Sequence, residues 1–282
     1  MLLQERRVSC IPEGPELKHS RDFLRNYVVG EIIHELSSLK EGRYSKKDPD
    51  GLADIRLDFP VKITGVDTKG KFMWWTLEGK TKKWFMWCTY GMSGQWMTKN
   101  KVHSSFLVNL GQKKIYFVDA RRFGTIKFTS NSQDHAKKLS SLGPDILDDT
   151  QFTPEIFAKN MLGKPNRIIA EALMDQQCVA GVGNYLRAEA LYDSKIDPMK
   201  SAVDMNAQEY LSLHASISKI AKQSYAAKGA SIKTYRNSED SSGEAQFTFK
   251  VYGRKTDDSG NVVVRTKDSN GRTIHWCPSI QK

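Results

Sequence analysis

The sequence predicts an α+β protein: an N-terminal helix, an antiparallel β-sandwich, a helical second half and a short β tail. Three observations predict it. Residues 15–29 carry helical apolar spacing. From about 31 to 130, short β-branched and aromatic runs alternate with Gly, Asp and Asn turns. Residues 151–228 return to helical spacing, and the last forty residues are β-like again.

The helix over 15–29 opens on Pro15, which suits a first helical position, and stops at Gly30. Strands are expected at 61–66, 71–77, 83–89, 105–110, 114–118 and 125–129, as a sandwich or barrel. The polar, Ser-rich stretch 129–141 and the following Leu142-Gly143-Pro144-Asp145 read as an interdomain linker, placed at 131–150. The helical segment breaks at Pro165, at Gly181–Gly183 and at Pro198. A loop rich in Ser, Asp, Glu and Gly, 237–245, reads as mobile. Strands follow at 246–252, 261–266 and 272–276. Asn270–Gly271 signals a two-residue hairpin turn and sets Arg272 at its tip, where a long cation can reach outward. No internal repeat is evident.

With 282 residues, 39% of them hydrophobic, the chain can build one large or two ordinary packed domains. No apolar run approaches the ~18–20 residues of a membrane span. The first eleven residues lack the apolar centre of a secretory signal. The net charge of +11 and a pI of about 9.4 point to a polyanionic partner, most often nucleic acid. Four cysteines (Cys10, Cys88, Cys178, Cys277) lie apart with no CxxC pair, which excludes a four-cysteine zinc site and suits a reduced, intracellular protein.

Six motifs in order carry a resemblance to one family. They are Pro12-Glu13-Gly14-Pro15-Glu16, Gly91-Met92-Ser93-Gly94, Asp119-Ala120-Arg121-Arg122-Phe123-Gly124 and Leu142-Gly143-Pro144-Asp145. After these come Asp175-Gln176 through Gly181-Val182-Gly183-Asn184-Tyr185-Leu186-Arg187-Ala188-Glu189, and Val251-Tyr252-Gly253-Arg254-Lys255. Together they resemble the Fpg/Nei DNA glycosylases, which excise oxidised bases and nick the strand. The Gly-Asn-Tyr-Leu-Arg-Ala-Glu wording is most similar to the zincless, endonuclease VIII-like branch.

The resemblance implies a catalytic domain at 12–130, a helix–two-turn–helix DNA-binding domain at 151–236, a lesion-side loop at 237–245 and a finger at 246–282. It makes Pro12 the nucleophile that forms a Schiff base at the sugar C1′, Glu13 the proton donor for ring opening, and Glu16 a supporting group. A terminal proline amine has a pKa near 8, so about a tenth is unprotonated at neutral pH; a proline inside the chain has an amide nitrogen with no basicity. Residues 1–11 are therefore expected to be absent from the active form. Lys71, preferred to Lys69 because Phe72 begins an apolar run directly after it, would approach the DNA phosphate at the lesion and assist elimination.

Met92, Arg121 and Phe123 would fill the hole left by an extruded base, as an apolar wedge, a reading cation and a stacking ring. His103 would contact DNA, with Ser105 as the competing position. Asn184 would hold a phosphate beside a helix N-terminus that offers free N–H groups. Lys233, Tyr235 and the loop after them lie where relatives touch the extruded base.

Zinc-bearing relatives close their finger with two CxxC pairs. The corresponding positions here are Ser259, Val262, Cys277 and Ile280, so three of four ligands are gone. No zinc or other cofactor is expected. Val263, Ile274 and Trp276 would pack the finger instead, and Arg272 would insert into DNA.

The expected activity is base-excision repair: removal of oxidised pyrimidines and ring-opened purines, with β,δ-elimination at the abasic site. Damaged DNA is the expected partner, with a monomeric, intracellular protein and no membrane association. The alternative is a damage-binding protein without catalysis, if Pro12 never becomes the N-terminus.

Overall fold

A computed structural model describes residues 12–163, 166–229 and 247–282. Helix α1 (Gly14–Val28) leads into the β region: β1 (Ile32–Ile33), β2 (Glu35–Ser38), the short helix α2 (Leu52–Arg56), then β3 (Val61–Lys69), β4 (Phe72–Glu78), β5 (Lys83–Thr89), β6 (Gln95–Met97), β7 (Ser104–Asn109), β8 (Lys114–Val118) and β9 (Thr125–Thr129). Helices α3 (Ser132–Ser140), α4 (Pro154–Leu162), α5 (Ile169–Ala172), α6 (Asn184–Asp193) and α7 (Ala207–Ala226) follow, and strands β10 (Val264–Lys267) and β11 (Thr273–Trp276) form the tail hairpin.

The strands build two antiparallel sheets, β1-β3-β4-β5-β9 and β2-β7-β8-β6. Their facing sides enclose one core, in which Trp75, Trp96, Phe106 and Phe117 are almost fully buried, with Leu17 and Leu24 of α1. A second core joins α4, α6 and α7 to the tail through Phe157, Leu186, Ile217, Val251 and Ile274. The expected α+β architecture is the one found. All six expected strands of the sandwich are present, their starts within one or two residues of the expected positions.

Four differences have physical causes. Strands β1, β2 and β6 are two to four residues long, too short for an alternation to show. The expected linker contains a helix, α3, whose N-terminus is capped by Asn131 accepting the N–H groups of Gln133 and Asp134. This helix covers the outer face of the five-stranded sheet. His135 stacks on Phe85 at a 3.8 Å ring separation, and its Nδ1 accepts the Trp87 indole N–H at 3.1 Å. The cover explains why Phe72, Trp74, Phe85 and Trp87 are aromatic on a face that would otherwise meet water. Burial, with help from the nearby Lys83, lowers the His135 pKa.

The third and fourth differences lie in the tail. Residues 247–250 form no strand; the N–H groups of Lys250, Val251 and Tyr252 donate instead to the buried Glu189 carboxylate. The Asn270–Gly271 turn is not a two-residue one. Lys267 pairs with Thr273, the Asp268 N–H donates to the Arg272 carbonyl, and Gly271 adopts a φ of 73°. The connection is longer than two residues and uses a left-handed glycine, as the next commonest hairpin connections do. The expectations for residues 1–11, Pro165, Lys233, Tyr235 and the 237–245 loop lie outside the described residues. No described helix is long and apolar enough to cross a membrane.

Candidate active site

The first residues of α1 meet the turn before α6 at the junction of the two cores. The Gly14 N–H donates to the Gly181 carbonyl at 2.9 Å. On the other side, Gly70, in the β3–β4 turn, approaches Gly181 so closely that an added Cβ would lie 2.5 Å from its nitrogen. Gly70 (φ 56°) and Gly181 (φ 114°) both hold left-handed backbone, so glycine is required there twice over.

Glu13 lies in this junction, 1% exposed. Its carboxylate accepts the N–H groups of Gly183 at 2.7 Å, Tyr185 at 2.8 Å and Leu186 at 3.3 Å. A side chain at Gly183 would overlap that carboxylate. The expectation that the α6 N-terminus presents free N–H groups to a phosphate is narrowed here, because Glu13 takes those of Gly183, Tyr185 and Leu186 and leaves only Asn184 to serve it. An acidic side chain and a helix N-terminus satisfy one another in the same way as a capping contact. No local pattern could announce that a residue 170 positions upstream supplies it.

Burial pushes the Glu13 carboxyl up to about 8, opposed by the Lys71 ammonium and by the backbone donors, with Glu16 adding to the rise. Lys71 donates to the Val182 carbonyl at 2.7 Å, and burial lowers its pKa while Glu13 raises it. Lys69 points elsewhere, to the Leu139 carbonyl, so Lys71 is the lysine beside Glu13. Glu16 accepts the Glu13 N–H at 2.9 Å and the Tyr185 hydroxyl at 3.1 Å. Pro12 is buried directly before Glu13.

Asn184 is the first residue of α6. Its Oδ1 accepts from Arg187 Nη2 at 2.7 Å, which turns its amide NH2 away from Arg187. The Arg187 guanidinium also donates to Asp268 at 3.0 Å and to the Thr273 carbonyl at 3.2 Å. Asp268 in turn accepts the N–H groups of Asn270 and Arg272. Arg187 and Asp268 have 0% exposed side chains, so a buried ion pair ties the α6 N-terminus to the hairpin loop. Arg272 is exposed at the end of that loop, near enough to Lys71 for its charge to lower the lysine's pKa. Glu13, Glu16, Lys71, Asn184 and Arg272 are thus brought together. Sequence reasoning did not single out Arg187, Glu189, Gln176 and Asp268 as site-building residues. The first three lie inside quoted motifs, but nothing in their spacing announces their partners. Gln176 braces the turn, accepting the Gly181 N–H and donating to the Val182 carbonyl, both at 3.0 Å.

A second group forms on two loops of the sandwich. The Arg121 N–H donates to Ser93 Oγ at 2.8 Å, and a Cβ on Gly91 (φ 58°) would lie 2.7 Å from that of Phe123. Met92, Arg121 and Phe123 therefore stand on abutting loops. Phe123 is 55% exposed, with the Arg121 guanidinium 5.9 Å from its ring. Phe123 is therefore not core packing, and its ring is open to a stacking partner. His103 joins the group through its carbonyl, which accepts the Asp119 N–H. Ser105 is buried and turned inward to the Phe117 carbonyl.

The finger positions do not fit a zinc ion. Ser259, Val262 and Ile280 supply no thiolate, Cys277 Sγ lies 3.2 Å from Ser279 Oγ, and among the described residues no group of three or more His, Cys, Asp or Glu is placed to hold a metal. Side chains clamp the turns. Asp257 accepts the N–H groups of Ser259 and Asn261 and the Tyr192 hydroxyl, and Gln281 bridges the Cys277 N–H and the Ile196 carbonyl.

Two family models match the chain. The formamidopyrimidine-DNA glycosylase N-terminal domain matches residues 11–126, and the formamidopyrimidine-DNA glycosylase H2TH domain matches residues 142–236. The formamidopyrimidine-DNA glycosylase of Shouchella clausii is 30% identical over 277 residues, covering 96% of this chain and 99% of its own. The crystal structure of MutM (Fpg) from Thermus thermophilus superposes with a TM-score of 0.82 at 27% identity, over 96% of this chain and 98% of that one. A Lactococcus lactis Fpg variant, solved with DNA containing Fapy-dG, gives 0.83 at 25% identity, over 96% and 100%. The chain therefore belongs to the formamidopyrimidine-DNA glycosylase (Fpg/MutM) family of DNA repair glycosylases.

Proposed function

We propose that the chain is a bifunctional glycosylase and abasic-site lyase in which Pro12, as a free amino terminus, attacks C1′ of the damaged nucleotide. The base departs with the electrons of its glycosidic bond and takes the proton shed by the attacking amine, leaving an aminal at C1′ whose nitrogen becomes an iminium ion when the ring opens. Glu13 gives its proton to the ring oxygen as the sugar opens. The iminium then acidifies C2′; loss of that proton expels the 3′ phosphate, and a further elimination expels the 5′ phosphate. Lys71 and Arg272 stabilise the phosphates flanking the lesion, Asn184 adds a phosphate contact, and Met92, Arg121 and Phe123 fill the vacated stack.

The observation that carries this reading is the carboxyl directly after Pro12. It is buried, fixed by three backbone donors and beside a lysine, and burial holds its pKa high enough to keep a proton near neutral pH. A general acid placed in this way is worth about 10²–10⁴ in rate.

The substrates we propose are ring-opened purines and oxidised pyrimidines. The first class is supported by the name of the Shouchella relative and by the Fapy-dG DNA bound to the Lactococcus protein. The second rests on the wording of the motif from Gly183 to Glu189. We also propose a finger that works without zinc, because its turns carry their own side-chain clamps.

The test compares the full chain with a form beginning at Pro12, each incubated with abasic-site DNA and borohydride. The expected result is a covalent adduct with the Pro12 form alone. An adduct with neither form, while both bind DNA, would leave the non-catalytic damage-binding reading.

A further inference from the structure

The arginine pair in the loop after β8 divides its duties. Arg121 lies near Phe123, whereas Arg122 Nη2 is 3.3 Å from Oε1 of Glu41. The same carboxylate oxygen is 3.7 Å from Nδ1 of His103. One acid thus gathers a guanidinium and an imidazole from two separate loops of the sandwich.

The backbone is arranged for this meeting. Lys40 (φ 57°), His103 (φ 71°) and Arg122 (φ 63°) all adopt left-handed conformations without being glycine. Among the described residues only two other non-glycine positions do so, Lys195 and Lys228. Backbone of this kind gathers at functional sites. It is pinned by main-chain hydrogen bonds from Leu39 to Ser105, from Asp119 to His103 and from Arg122 to Asp119. The Arg122 stem rests against Gly42, where a Cβ would come within 3.4 Å of its Cγ.

Energetically the cluster is not a staple. The Glu41 and His103 side chains are 41% exposed and that of Arg122 59%, and ion pairs so open to water contribute little to stability. Electrostatically the acid differs from its neighbours Asp48 and Asp50, which pair with Lys40 and Lys47 in their own stretch, because it reaches across to the loop that carries Arg121 and Phe123. A carboxylate there repels a polyanion that the net charge of +11 attracts.

We propose that Glu41 is a placeholder for one DNA phosphodiester: it keeps Arg122 and His103 converged on a point that a backbone phosphate takes over on binding. A carboxylate and a phosphodiester carry the same single charge and offer two acceptor oxygens to a guanidinium. The exchange also limits affinity for undamaged DNA, since releasing Glu41 offsets part of the gain from the new contact. This proposal rests on the DNA-binding reading above.

The test is fluorescence anisotropy with the full chain and a labelled duplex carrying a tetrahydrofuran abasic analogue, over a range of salt. Glu41→Gln should bind about fivefold tighter at low salt, the scale of one unit-charge interaction at ~4 Å in water. Its plot of log K against log salt should steepen by about 0.9, because Arg122 then releases a counterion without freeing an acid in exchange. Arg122→Gln should weaken the Glu41→Gln protein more than it weakens the parent. Glu35→Gln, at an exposed acid outside this cluster, should change little.

Unchanged or weaker binding by Glu41→Gln overturns the proposal, as does an equal gain from Glu35→Gln, which would reduce the effect to overall charge. If Arg121→Ala weakens binding while Glu41→Gln does nothing, the DNA-binding reading stands and the placeholder alone fails. No binding by the parent chain defeats both.

Discussion

Glu13 bears two demands that pull in opposite directions. Three backbone donors and Lys71 favour its carboxylate; burial favours the acid and dominates, lifting the pKa to about 8. An unfolded glutamate titrates near 4.5, so between these values the folded chain keeps a proton that the unfolded chain has released. The contribution to stability is therefore full below about 4.5 and lost as pH rises through about 8. The same titration should govern rate. In single-turnover excision by the Pro12 form, the rate should fall above about pH 8 as Glu13 loses the proton it donates. Glu13→Gln should lower that rate by roughly 10²-fold or more and, having no titratable group there, should remove the alkaline fall. An alkaline fall that persists in Glu13→Gln would place the controlling ionisation on another group.

At the scale of elements, the hairpin β10–β11 presents Arg272 only because its loop is tied to α6. Replacing Asp268 by Ala leaves the guanidinium of Arg187 buried without its counter-charge and frees the N–H groups of Asn270 and Arg272. Breaking a buried pair from one side costs about 3–5 kcal/mol, which urea unfolding would register. Arg272→Ala should slow excision yet change stability by less than about 0.5 kcal/mol, as expected for an exposed side chain. Equal destabilisation by the two would make Arg272 a structural residue. This contrast also marks how far the sequence can be read. Strands β3, β4, β5, β7, β8 and β9 are legible because each is five residues or longer and bounded by turn residues. The neighbourhood of the expected site residues is legible too: Pro12, Glu13 and Asn184 from motifs, Lys71 from the apolar run that begins at Phe72, and Arg272 from the turn before it. The bond from Glu13 to the α6 N-terminus, the docking of α3 through His135 and the pairing of Arg187 with Asp268 are not. All three join residues that local period and turn chemistry treat separately, and only the packed tertiary structure sets them in contact.

For the whole molecule, the decisive contact is the close passage of Gly70, Gly181 and Gly14, where the sandwich, the helical core and the first turn of α1 meet. Lys71 follows Gly70, Val182 follows Gly181 and Glu13 precedes Gly14, so the site inherits its geometry from backbone spacing rather than from any one element. A methyl at Gly70 would meet the backbone at Gly181 N and Ala180 C, 2.5 and 2.6 Å away, and backbone cannot swing aside as a flexible side chain can. Its φ of 56° adds strain to any other residue. Gly70→Ala should therefore separate the two cores locally while each keeps its own packing. Far-ultraviolet circular dichroism should be unchanged, whereas borohydride trapping by the Pro12 form should fall by roughly a hundredfold, the scale attached to ~1 Å misplacement of reacting groups. Gly260→Ala is the matching control, because that glycine also has a left-handed φ, 84°, but open space around its Cβ; it should trap like the parent. If Gly70→Ala traps as well as Gly260→Ala, the junction tolerates an opening of that size, and the burial of Glu13 against α6 is not what sets the rate.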